Sequence, residues 1–520
     1  MGQPHEELSV AALRHICISD LHLGAGYSLL TGIDGTGQVA PGARCETLVA
    51  LMDALGATLA PLCDDEPPTL VLLGDVLDMG LSPMNTVSQA FRVFLRELAR
   101  LRSQGLRLSP CIRVVPGNHD HHLWRMAKDR SFLSLARSGA PDADMPQVTA
   151  LTDAPGRAWP GCELLAALAG TEPGLEDLSF ELAYPNFGLV DAARRRAVVL
   201  HHGHYVDPMY RAMSVLVAHQ TPRPPGAPPQ PLTVEQLEAR NGPWVDFLWS
   251  DLGNTGAVGR ASEKLYEVMR DVGASQRWAQ HMSRWITERL GETLDVAAVM
   301  PLIQGVTVQQ AVSGVVDATL VRGAESQRGD YRHLVTSDDT AHLRWYLGGA
   351  VATQLKGEGI DPQDMDLRFV FGHTHKPLQD ELPVPGLARP VKIYNTGGWV
   401  MDQPTMRSTQ GAAIVLIDGD LNLASLRLFN DPVNGASPAV HAAGTGTPSD
   451  RDNPLLLALD QAVERQAGDW KHFTHCVVAA AQRHARDLLD DFFGPSSDAD
   501  DAGAPREHAQ PSVAVNGGAA

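Results

Sequence analysis

The stretch Ile112-Arg113-Val114-Val115-Pro116-Gly117-Asn118-His119-Asp120 sets the reading of this chain. A short apolar run stops on a glycine and then offers three polar residues that can bind metals or move protons. The pattern recurs. Asp20-Leu21-His22, Gly74-Asp75-Val76-Leu77-Asp78, His202-Gly203-His204 and Gly372-His373-Thr374-His375 each close a similar run. Runs of this kind read as strands buried on both faces. No single motif decides the case; five in series do. Together they supply Asp, Asn and His in the numbers that two hard-to-borderline divalent cations need.

Working outward, strands are expected at 15–19, 70–73, 112–115, 197–200, 369–371 and 391–394. Helical periodicity fills 43–59 and 87–101, and Gly105 stops the second helix. Alternating strands and helices imply an α/β sheet, whose sites collect beyond the carboxyl ends of the strands. One fold would therefore place every motif at one rim. Residues 1–206 and 367–430 are expected to form this core. Residues 207–366 break the rhythm and read as a mainly helical insertion. A proline-rich hinge at 221–231 opens it, and helices follow at 234–252, 262–270 and 278–290. Both its ends lead into motif strands, so it should cap the site. Residues 431–495 read as a linker, around 434–448, followed by one or two helices at 453–493. Residues 496–520 carry the Asp, Ala, Gly and Pro of a disordered tail.

Composition narrows the function. The 520 residues are 44% hydrophobic and 20% charged, with a formal net charge of −19. So acidic a chain repels nucleic-acid backbones and anionic lipid, which argues against a nuclease. The longest basic run, Arg194-Arg195-Arg196, reads as a solvated turn before a strand. Six scattered cysteines without a CxxC pair suit a reducing compartment. The amino-terminal residues lack the apolar core of a signal peptide, and no apolar stretch is long enough to span a membrane. The expected location is the cytoplasm.

The chemistry follows from the residue types. Side chains two apart on a strand share a face, so Asp20 and His22 can reach one ion, and His373 and His375 can do likewise. Asp75 has two oxygens and can bridge two ions about 3.5–4 Å apart. Asn118 adds a neutral oxygen. His202 is favoured over His201, because only one of the pair can face the ions. Two ions would activate a water as hydroxide for attack on phosphorus. His119 would protonate the leaving group, with Asp120 holding its ring. His204 is expected to reach substrate, and Asp78 to orient a ligand or a loop amide. His121 and His122 belong to the first turn of a helix, and Lys376 reads as solvated. Trp244, Phe247, Trp249, Trp278 and Trp285 read as the core of the cap. Mn²⁺ or Fe²⁺ is expected ahead of Zn²⁺ for this mixture of oxygen and imidazole.

The motif series D-x-H, G-D-x-x-D, G-N-H-D, H-G-H and G-H-x-H resembles that of the calcineurin-like metallophosphoesterases, over roughly 14–205 and 367–430 in separated pieces. The resemblance implies a four-layer α/β/β/α sandwich with the long helical insertion added. It implies that Asp20, His22 and His375 hold the first metal, and that Asn118, His202 and His373 hold the second. Asp75 would bridge, His119 would protonate the leaving group or hold the phosphate, and Asp120 would be its partner. The expected activity is hydrolysis of a phosphate ester or diester on a phosphorylated small molecule. Gly372–Pro377 and Asn395–Trp399 look closest to bacterial phosphodiesterases and diphosphatases, including UDP-diacylglucosamine pyrophosphatases. The chain departs from that last branch at His119 (typically Arg), at His204 (typically Asp) and in the length of its insertion. A partner-binding scaffold on the same fold would be expected to have lost ligands, and here none is missing.

Overall fold

A computed structural model describes residues 12–34, 39–140, 144–153, 158–211, 213–214, 217, 232–246, 249, 337–401, 409–430 and 440–493. Its strands are β1 (Leu13–Ile18), β2 (Thr69–Leu72), β3 (Cys111–Val114), β4 (Ser179–Leu182), β5 (Asn186–Asp191) and β6 (Arg196–His201). They continue with β7 (Asp366–Phe371), β8 (Leu378–Leu382), β9 (Val391–Asn395), β10 (Ala413–Asp418), β11 (Leu423–Arg427) and β12 (His441–Ala443). They form two mixed sheets, a seven-stranded one in the order β12-β11-β10-β1-β2-β3-β4 and a five-stranded one in the order β5-β6-β7-β9-β8. The motif strands run parallel, β1 to β3 in the first sheet and β6 and β7 in the second. β4 adds a parallel edge to the first sheet, and antiparallel strands complete the other edges.

Strand alternation builds the layers. Cys17, Val71, Val198, Leu200, Val370 and Val415 point into an apolar layer between the two sheets. Their neighbours Ile16, Ile18, Leu70 and Leu72 point outward to helices. On the other sheet Val199, Phe369 and Phe371 do the same. Every motif strand is therefore buried on both faces, which is why each reads as a continuous apolar run. Helices α1 (Glu46–Leu59), α2 (Met84–Ser103), α3 (His122–Arg137) and α4 (Glu163–Ala169) cover the first sheet. Helices α5 (Val234–Val245), α6 (Ser337–Tyr346) and α7 (Ala352–Gly357) lie over the second. The result is the α/β/β/α sandwich.

Two further helices, α8 (Pro454–Arg465) and α9 (Ala467–Phe493), pack into the first outer layer. Pro454 at the first helical position and an Asn453 side chain accepting from the Leu456 N–H start α8. Leu455, Leu459, Trp470 and Phe473 are buried in the same cluster as α1. The Trp470 indole N–H donates to Thr58 Oγ1 at 3.0 Å, so a large ring is buried with its polar atom satisfied. Part of the stretch expected to be linker forms β12, which pairs with β11.

Of the insertion, the described parts are its two ends. A capping box of Thr233 and Gln236 opens α5, and Val234, Leu237 and Val245 join the second outer layer. The helices expected at 262–270 and 278–290, the hinge at 221–231 and the tail at 496–520 lie outside the described residues. No helix among the described residues is long and apolar enough to cross a membrane.

Two stability predictions follow from this packing. Trp470→Ala should cost about 3–5 kcal/mol in urea unfolding, because it removes a buried ring from the shared core. The second concerns α5. Glu238 is buried beside Tyr184 and Tyr205, near Lys128 and Asp246, and burial pushes its carboxyl up to about 8. The folded chain therefore keeps this proton at a pH where the unfolded chain has released it. The contribution is complete below the ordinary carboxyl range and is lost as pH rises through about 8. Glu238→Gln should remove that loss, so its melting temperature should gain on the wild type between about pH 5 and 8.5.

Candidate metal centre

The sandwich brings the motifs to one edge. β1, β2, β3, β6 and β7 end at Ile18, Leu72, Val114, His201 and Phe371, and a motif follows each end directly or within a few residues. The loops are laced together through the main chain. The amides of Asp20 and His22 donate to the carbonyls of Gly74 and Asp75, each at 2.9 Å. The Gly372 amide donates to His202 O at 2.7 Å, and the His373 amide donates to the Asp20 carboxylate at 3.1 Å. Asn395 Nδ2 donates to Gly372 O and Thr374 Oγ1, each at 3.0 Å, which fixes the last motif loop.

Strand alternation does not aim the ligands, contrary to expectation. Asp20 and His22 lie past the end of β1, in turns with φ of 51° and 45°. Asp75, His373 and His375 share this left-handed geometry, at 48°, 69° and 56°. Each such residue costs about 1–3 kcal/mol and persists only where its surroundings over-determine it. The turns bend the side chains inward from loops that would otherwise carry them past the site. Gly74 serves the same packing. Its φ is +82°, and a Cβ there would lie 2.8 Å from the Gly117 Cα and against the His202 ring. The space is taken by ligands rather than reserved for substrate.

Two constellations converge. In the first, His375 Nε2 lies 3.4 Å from Asp20 Oδ1 and 3.2 Å from His22 Nε2. In the second, Asp75, His202 and His373 gather, and His202 Nε2 lies 3.1 Å from Asn118 Oδ1. Asp75 Oδ2 stands between them, 3.2 Å from His202 Nε2 and 3.9 Å from His22 Nε2. The seven expected ligands thus lie in one site.

Their chemistry calls for cations. His202 Nδ1 faces the Leu73 carbonyl at 3.1 Å and must donate to it. In the neutral ring Nε2 is then a lone pair, and it faces two acceptor oxygens. Either a second proton or a cation has to lie there. The pKa follows the same logic. Burial pulls His202 down, but the Asp75 and Asp20 carboxylates more than offset this and push it up to about 9. Burial opposes charge on Asp75, yet His202 and His119 hold its pKa well below the usual range. A cluster that stabilises imidazolium this strongly is suited to divalent ions in place of those protons.

His119 sits beside the first constellation, its ring centroid 4.7 Å from that of His22. Its Nδ1 lies 2.9 Å from Asp78 Oδ1, and its amide donates to Asp75 Oδ1 at 2.7 Å. Burial lowers the pKa of this ring, but Asp78 and Asp75 outweigh it and the net shift is upward. The expected partner, Asp120, is not the one that holds it. Asp120 accepts instead from the amides of Gly117, Val76 and Leu77. It ties the second and third motif loops together, and an oxygen committed to amides cannot also orient an imidazole. Asp78 does so, while its other oxygen accepts from Tyr27 and lies 3.5 Å from His22 Nδ1.

Other expectations need correction too. His204 is fully enclosed, its ring tilted against that of Tyr205 at 4.4 Å and 5.9 Å from the His202 ring, with no face open to substrate. Lys376 is buried rather than solvated. His201 turns away from the site, as expected, and Nδ1 accepts from the Gly203 amide at 2.8 Å. Trp249 is not core of the cap alone. Its ring lies against His119 at 3.9 Å, and its N–H donates to the Tyr210 hydroxyl at 3.1 Å. Tyr210 in turn meets His373 edge to face at 5.3 Å. An indole and a phenol from the insertion thus roof both halves of the site. Nothing local in the sequence marks Trp249 for this place. Tyr210 and the nearby Asp207 carry one cue, their position on the loop that bears His202.

No curated protein matches the chain significantly. Residues 13–251 match the family model for calcineurin-like phosphoesterases, a span that includes the first four motifs. With the sandwich and the convergent Asp/His clusters, this match supports a calcineurin-like phosphoesterase domain over residues 13–251.

Proposed function

We propose that this protein is a hydrolase with two divalent ions, most readily Mn²⁺, that cleaves an ester or diester of a phosphorylated small molecule. One observation carries the reading: Asp75 Oδ2 lies between the two ligand constellations, in reach of a histidine from each. When bound, such an ion pair supplies Lewis acidity that activates a water and neutralises phosphoryl charge. Asp20, His22 and His375 would hold one ion, and Asn118, His202 and His373 the other. The remaining work falls to the chain. His119 lies beside the first ion site, with its ring held by Asp78 and its proton affinity raised by Asp78 and Asp75, which suits it to protonate a departing alkoxide. Asp120 keeps the two loops that bear Asp75 and Asn118 in register. Trp249 and Tyr210 exclude water and limit what can approach His119. The net charge of −19 supports a small substrate over nucleic acid. The six unpaired cysteines support a cytoplasmic setting.

Two experiments test this reading. Hydrolysis of an aryl phosphodiester should stop on chelation and return with Mn²⁺, and Asp75→Asn should lower kcat/KM at least about 100-fold. Full activity in that variant would refute the site. The role of His119 has a separate signature. His119→Asn should cost about 10²–10⁴-fold on an alkyl ester, whose leaving group needs the proton, and much less on a nitrophenyl ester. Asp78→Asn should show the same leaving-group dependence in weaker form.

A further inference from the structure

We propose that Asp207 is a positioning residue for the second ion, acting through His373. The inference rests on the two-ion reading above and adds to it a carboxylate that lies outside the five motifs. Asp207 Oδ2 lies 3.7 Å from His373 Nε2, and the two side chains are only 4% and 7% exposed. That distance is in ion-pair range, and a shift of about half an ångström would close it to a hydrogen bond. Two other histidines of the site already have an outer acceptor on one ring nitrogen. His202 has the Leu73 carbonyl, and His119 has Asp78. Asp207 offers His373 an acceptor of the same kind, at the longer distance of 3.7 Å. With Nε2–H directed to the carboxylate, the ring is set in one tautomer and Nδ1 is the nitrogen presented for coordination.

The local chain holds Asp207 in place. Its amide donates to His204 O at 3.0 Å, and its carbonyl accepts from the Tyr210 amide at 3.3 Å. The same turn therefore delivers the carboxylate to one edge of His373 and the Tyr210 ring to another. Arg211, whose guanidinium lies over Trp345 at 4.3 Å, interacts electrostatically with Asp207 and offsets part of the cost of burying it. The turn begins directly after His202-Gly203-His204. One loop would thus supply a ligand of the second ion and also orient another ligand of that ion, which arrives from β7.

The test is Mn²⁺ binding by the full-length, chelator-stripped protein, followed by calorimetry and by the exchange-coupled EPR signal of a manganese pair. Asp207→Asn should weaken the second ion about 10–100-fold, leave the first within about threefold, and lose the coupled signal at Mn²⁺ levels that saturate the wild type. Asp207→Glu should restore most of the affinity. The melting temperature of the metal-free Asn variant should match the wild type, since the proposed role is felt only through the ion. Wild-type binding of both ions by Asp207→Asn would overturn the positioning role alone. Loss of both ions together with a lowered metal-free melting temperature would also overturn it, in favour of a purely structural turn. A wild-type chain that holds fewer than two ions would overturn the two-ion reading and this inference with it.

Discussion

Asp75 Oδ2 stands 3.2 Å from one imidazole nitrogen and 3.9 Å from another, with Asn118 Oδ1 close to the first. Atoms that share a need for positive charge are held together against their mutual repulsion, and much of the site follows from that. Asp20, Asp75 and Asp78 are all buried, and three carboxylates out of water would each cost several kcal/mol if left uncompensated. The proton on His202 supplies part of the compensation, and Asp78 and Asp75 raise the proton affinity of His119. Two divalent ions would supply more, and would leave a positive excess suited to a phosphate. The arrangement is expensive for a folded chain alone and sensible for one that binds cations.

Holding such a cluster takes a rigid frame. Five ligand candidates sit in left-handed backbone, about 1–3 kcal/mol each, so the loops must be fixed from several sides at once. The layer between the sheets provides this, because Cys17, Val71, Val198 and Val370 lock the strands that lead into four of the motifs. Asp120 then sews two loops of the first sheet together, and Asn395 steadies the last loop of the second. The hydrogen bond from the His373 amide to Asp20 joins the sheets at the site itself. Strain at the candidate site is sustained by burial some distance away.

This division explains what could be read in advance. The six strands expected from apolar runs all form, with ends within a few residues, because burial on both faces leaves an unambiguous sequence pattern. β4, β5, β8, β10, β11 and β12 were not among them, and none of these leads into a motif. Four of them, β4, β5, β8 and β12, are edge strands, with polar residues such as Glu181, Asp191 and Glu381, whereas β10 and β11 are buried runs that no motif singles out. The candidate ligands were legible because metal chemistry restricts residue type. How they are aimed was not, since a positive φ at Asp20 or His22 leaves no trace in residue identity. The Asp120 assignment failed for a related reason. Adjacency to His119 in sequence suggested a pair, but the turn sends Asp120 toward backbone amides and leaves Asp78, forty-one residues away, to meet the ring.

The insertion is where family chemistry gives way to properties of this chain. The ligand set and the His119–Asp78 pair lie on the sandwich, and any substrate with a phosphoryl group could in principle use them. Trp249 and Tyr210 come from the insertion, and they approach the two histidines that bracket the site, His119 and His373. An indole packs against the face of the His119 ring, 3.9 Å between centroids, and so borders the space beside it. On the proposed function, selection among phosphate esters would fall on the leaving group more than on the phosphate, through residues that the metal motifs do not include. A change in substrate preference would not need to touch the metal ligands; repacking the hydrogen-bonded Trp249–Tyr210 pair would be enough.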